Sequence, residues 1–136
     1  MTTIDASKGT GDVARQGFRW IRWLVAINLG LVALQALSAG FLMSGNARAL
    51  TVHAMVAVAL ELGTLIQAVA GVVLWRRRRV PTWAAGVSIG LFVMVFLQVA
   101  VGYQRLYWLH VPIGVGIFGG LTRQAHRLDV SIAESL

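Results

Sequence analysis

The sequence predicts an all-α integral membrane protein: an up-down bundle of four transmembrane helices, both termini cytoplasmic, with a weak internal two-helix duplication. Three observations predict it. Hydrophobic residues make up 57% of the 136 positions and charged residues 12%, with a mean hydropathy of +0.73, too little charge to cover the surface of a soluble domain. The apolar residues fall into four stretches, and a membrane span needs ~20 such residues, with ~17 as the lower limit. The basic residues gather on one side of the resulting arrangement.

Each element follows from its flanks. Residues 1–19 are polar and Gly-rich and form a cytoplasmic N-terminal tail. The first span, about 20–43, opens with Trp20 and Trp23; its apolar run after Arg22 exceeds a signal-peptide core and reads as a retained helix. The second, about 50–75, ends at Trp75 and the run Arg76 to Arg79. The third, about 82–103, lies between Trp83 and Tyr103, and the fourth and shortest, about 106–122, begins with Tyr107 and Trp108. Residues 123–136 form a cytoplasmic C-terminal tail; neither tail is large enough to bury a core.

Charge placement fixes the expected sidedness. Of twelve basic residues, only Arg48 and Arg105 fall in the two outer connections. The other ten flank the cytoplasmic ends, as the positive-inside rule requires for a multi-pass protein of the plasma (inner) membrane with N-in and C-in topology. The net charge of +7 therefore marks topology and lipid contact rather than nucleic-acid binding. The absence of cysteine excludes disulfides, iron–sulfur clusters and thiolate or c-type haem attachment.

Ionisable groups inside a span are costly and usually functional, and here they are His53, Glu61 and His110. Asn28, Gln35, Ser38, Gln67, Ser88 and Gln98 are uncharged companions able to hydrogen-bond between helices. His126 lies among Arg123, Gln124 and Arg127 and reads as a solvated tail residue. The two span histidines are preceded by related stretches, Leu34-Gln35 to Gly40-Phe41 and Leu97-Gln98 to Gly102-Tyr103. Spans two and four run in one direction, so His53 and His110 fall at similar depth in the outer leaflet. Diagonal helices leave room for a flat ligand that neighbours ~8–10 Å apart would not. Two neutral imidazoles facing each other are suitable axial ligands for low-spin haem iron.

Ala57 and Gly114 each follow a histidine by four positions, placing a small residue one turn along the same face. The bland alternative is helix close packing, as for the pair Gly116 and Gly120, with the histidines in interhelical hydrogen bonds. Gln35 and Gln98 are candidate partners of the imidazoles or of haem propionates, or ordinary interhelical contacts. Glu61 stands two turns beyond His53; as a possible proton or ion site it is a relay, a counter-charge or a neutral structural acid, with Arg123 as candidate partner.

Leu97-Gln98 to Gly102-Tyr103, followed by Leu109-His110 to Gly114, resembles one four-helix half of a haem A synthase. Leu34 to Phe41 with His53 resembles it more loosely. The resemblance implies one haem b per chain with His53 and His110 as axial ligands, and a chain that pairs as a homodimer or joins a larger respiratory complex. The family's catalytic half carries a glutamate three residues before a histidine that is followed by arginine. This chain has Leu50 before His53-Ala54 and Tyr107 before His110-Val111, and it lacks the family's extracellular cysteine pair. Oxygen-dependent modification of a haem methyl group is therefore not expected, and the chain reads as non-enzymatic. A generic bis-histidine membrane cytochrome b is equally compatible. The expected function is electron transfer or haem handling; the alternatives are a small proton-coupled transporter built on Glu61 and a structural subunit of a respiratory complex.

Overall fold

The computed structural model of the protein describes residues 5–134, with side chains described from residue 16 to residue 134. Four helices account for nearly all of these residues: α1 Asp5–Met43, α2 Ala49–Arg76, α3 Thr82–Tyr103 and α4 Tyr107–Glu134. Each packs against two others: α1 and α3 both touch α2 and α4, while α2 and α4 face each other across a diagonal without direct backbone contact. Contacts run in opposite senses along α1 and α2. Asn28 of α1 meets Gln67 of α2, whereas Ser38, further along α1, meets His53, earlier in α2.

Among the described residues, three helices are long and apolar enough to cross a membrane: Gln16–Met43, Ala49–Arg76 and Thr82–Tyr103. The fourth span expected at 106–122 does not reach that standard. The reason is composition: His110 and Pro112 interrupt its apolar run, which ends at Arg123 and Gln124. The helices also run on into the segments expected as tails, since α1 already begins at Asp5 and α4 continues to Glu134. Polar sequence does not break a helix once tertiary contacts hold it. At the start of α1, a side chain at Gly17 would come within 3.0 Å of the Arg79 carbonyl, and Ile21 is wholly buried. Beyond 122, Gln124, Ala125 and Leu128 are buried. An Arg22–Asp129 ion pair of 2.7 Å ties α4 to α1, and Arg127 lies 4.7 Å above the Trp83 ring of α3.

The surface is more apolar than that of a soluble bundle, and polar side chains share the aliphatic interior. Large apolar side chains such as Ile27, Met55, Leu62, Val93, Phe96 and Val115 face outward, while Asn28, Thr64, Gln67, Ser88 and Gln124 are buried. The outer shell suits lipid, where no water competes for polar groups and each must find a partner inside. They do so in a hydrogen-bonded chain through all four helices. Asn28 donates to Gln67 (2.9 Å), Gln67 to Gln124 (3.1 Å), Gln124 to the Ser88 hydroxyl (2.9 Å), and Ser88 to the Ala84 carbonyl (2.9 Å). The long Gln67 and Gln124 amides span the α2–α4 diagonal. The Asn28 Oδ1 has no hydrogen-bond partner but sits directly against Gly63, in the space a side chain there would fill, a geometry that admits a weak Cα–H···O contact.

Helices α1, α2 and α3 end alike, with a 6→1 and a 5→2 backbone bond around one left-handed residue. The pairs are Asn46 to Phe41 with Gly45 to Leu42, Arg79 to Leu74 with Arg78 to Trp75, and Leu106 to Val101 with Arg105 to Gly102. Glycine fills that position once, at φ 89°; Arg78 (φ 55°) and Arg105 (φ 57°) fill it with a side chain, at a cost of about 1–2 kcal/mol.

Arg105→Gly is therefore expected to raise unfolding free energy by roughly 0.5–1 kcal/mol once the added freedom of the unfolded chain is deducted, measured by denaturant unfolding in detergent. Gln124→Leu leaves Gln67 without its acceptor and is expected to lower it by about 1–2 kcal/mol in the same assay.

Candidate functional site

Helix geometry brings the two span histidines together. His53 lies one turn into α2 and His110 less than one turn into α4, and their ring centroids are 6.3 Å apart with planes inclined by 53°. Each ring is held through Nδ1. The Nδ1 of His110 is 2.9 Å from the Gln98 carbonyl; a carbonyl only accepts, so that nitrogen carries the proton. The Nδ1 of His53 is 3.0 Å from the Ser38 hydroxyl, whose own proton is donated to the Gln35 carbonyl at 3.0 Å. The carbonyl partner sets His110 as the Nδ1–H tautomer, and with the Ser38 proton on the Gln35 carbonyl His53 is the same, which leaves each Nε2 lone pair free, the arrangement typical of a metal-ligating histidine.

The separation has a chemical meaning. Two imidazoles on opposite sides of one metal ion, with bonds of ~2.0 Å and ~1.1 Å from nitrogen to ring centre, place their centroids ~6.2 Å apart. Among the described residues no cluster of three or more His, Cys, Asp or Glu side chains is present. The site thus offers two imidazoles and, among the described residues, no third His, Cys, Asp or Glu side chain beside them.

A cavity of about 270 Å³ adjoins the rings, and all four helices contribute to its wall. His53, His110, Ala57, Gly114, Gln35 and Gln98 all line it. The rest of the lining is mostly aliphatic, with Tyr103 and Tyr107, both exposed, at the end nearest the connections. The Gln98 Oε1 is buried without a hydrogen-bond partner, an acceptor available to a bound group. Gly114 does something other than leave open space: a side chain there would come within 3.0 Å of the Gln98 amide nitrogen, so the glycine seats that amide. Gly102 is more exacting, since a Cβ would lie 3.0 Å from both Cε1 and Nδ1 of His110. Glycine at 102 makes the His110–Gln98 bond possible.

Glu61 stands apart. It is half-buried, does not line the cavity, and pairs with no cation among the described residues. The expected Glu61–Arg123 pair is absent, and Arg123 is exposed on α4. His126 is exposed, in keeping with a solvated residue.

Sequence reasoning missed Gln124, assigned to a tail although it lies on the same helical face as His110. The signal was present: fourteen residues separate His53 from Gln67, and fourteen separate His110 from Gln124. Four turns, ~21 Å, thus part a histidine layer from an amide layer on both diagonal helices.

Compared with protein families, curated proteins and solved structures, the chain finds no match.

In ¹⁵N NMR of the neutral protein both histidines are expected as Nδ1–H tautomers, and Gly102→Ala is expected to remove that preference at His110 alone. An Nε2–H tautomer at either ring in the wild type would contradict the geometry.

Proposed function

We propose that this chain is a membrane-embedded haem b-binding protein, a bis-histidine cytochrome b serving electron transfer or haem handling, with one haem per chain. The observation that carries it is the pair of free Nε2 atoms on rings 6.3 Å apart, each ring oriented by a hydrogen bond at Nδ1. The proposal places α4 across the bilayer with the other three helices, forming an up-down bundle in the plasma membrane. The basic end, with both termini, faces the cytoplasm and the histidine layer the outer leaflet. Tyr103, Tyr107 and Trp108 at the histidine end and Trp20, Trp23, Trp75 and Trp83 at the basic end suit the two interfaces. The related holds on the two rings, through Gln35 with Ser38 and through Gln98, suit an internal duplication and the likeness to one half of a haem A synthase.

The residues divide the work. His53 and His110 would hold the iron, and haem bound there would supply a one-electron centre. Ser38 and the Gln35 and Gln98 carbonyls keep both imidazoles in the ligating tautomer and raise their basicity, which favours the ferric state. The Gln98 Oε1 accepts from a protonated propionate or an ordered water. The aliphatic wall would keep water from the bound group.

The test is the visible spectrum of protein purified under haem-replete conditions, oxidised and dithionite-reduced. Wild type is expected to show low-spin haem b at one per chain, His53→Ala and His110→Ala to lose it, and Glu61→Gln to retain it. A colourless wild type would refute the proposal; low-spin haem in both histidine variants would refute the ligand assignment.

A further inference from the structure

A second cavity, of about 390 Å³, lies at the opposite, basic end, between the start of α1 and the α2–α3 connection. Phe18, Trp75, Arg78, Arg79, Pro81 and Thr82 line it. The helix-end reversal at Arg78, with its positive φ of 55°, turns the last two of the four consecutive arginines into this wall, while Arg76 and Arg77 stay outside it. Among the described residues no carboxylate pairs with them; the one ion pair there is Arg22–Asp129. Helix α3 begins at the same wall, and no side chain caps it, so its first N–H groups and the positive end of its dipole lie beside the two guanidiniums. Trp75 is braced across the opening by donating its indole N–H to the Thr82 hydroxyl at 3.1 Å.

Guanidiniums and a helix N-terminus together recognise phosphate oxygens. The remaining wall is apolar, from Phe18, Trp75, Val80 and Pro81, and fits a glycerol backbone and the tops of acyl chains rather than a free ion. We infer that this cavity is a binding site for one anionic phospholipid, its phosphodiester on Arg78, Arg79 and the first amides of α3, its glycerol region on Phe18 and Trp75. The site is independent of the histidine layer and needs only that the basic end lies at a membrane surface. It differs from diffuse attraction of lipid to basic residues because it separates adjacent arginines by their geometry.

Native mass spectrometry of the full chain, released from detergent containing phosphatidylglycerol, cardiolipin or phosphatidylcholine, tests it. Wild type is expected to retain one anionic lipid. R78Q/R79Q is expected to bind it roughly thirtyfold more weakly, at about fivefold per basic residue, while R76Q/R77Q binds within about threefold of wild type. R78K/R79K is expected to recover part of the loss, and unchanged thermal unfolding confirms that each variant is folded. Equal weakening in the two glutamine pairs would overturn the site, as would equal retention of phosphatidylcholine. Stabilisation by inorganic phosphate alone to the same extent as by lipid would overturn the lipid assignment.

Discussion

A polar atom buried where water cannot reach must be satisfied by the protein itself, and this constraint organises the structure. An unpaired amide or imidazole N–H in such surroundings costs several kcal/mol, comparable with the whole stability of a small domain. The chain meets the demand in two layers. At the basic end Asn28, Gln67, Gln124 and Ser88 pass hydrogen bonds from helix to helix. At the other end the histidines satisfy one ring nitrogen each and leave the other free. The layers differ in chemistry: amides exhaust most of their bonding on one another, whereas the imidazoles retain a lone pair.

Small residues let the layers form. Gly63, Gly102 and Gly114 do not mark flexible points; each yields the volume that a neighbouring polar side chain occupies, Asn28, His110 and Gln98 respectively. Outside the layers the core is ordinary aliphatic packing of Val25, Leu60, Leu91, Val95, Ile117 and Leu121. The extensions of α1 and α4 at the basic end are fastened by Arg22–Asp129 and by Arg127 over Trp83. A largely exposed pair is worth only ~0–1 kcal/mol, so these contacts set register more than they add stability.

The helical class and the three strongest spans were legible because apolarity over ~20 residues is a direct statement about solvent. The six cavity residues were legible because histidine inside a span is rare and helical spacing fixes what lies on its face. Three things were not. The helical extensions depend on tertiary packing of Ile21, Ala125 and Leu128, which polarity counts ignore. Gln124 was hidden by its charged neighbours, although its spacing from His110 repeats that of Gln67 from His53. Ser38 as the holder of His53, and Gly102 as the seat of His110, required the relative rotation of neighbouring helices, which no single helix encodes.

The central claim is that both free imidazole nitrogens serve one iron. Pulsed EPR of the ferric, haem-replete protein labelled with ¹⁵N-histidine reads this directly through hyperfine coupling to the axial ligands. Two strongly coupled histidine nitrogens per low-spin centre is the expected result; a single coupled nitrogen, or none, would contradict the account.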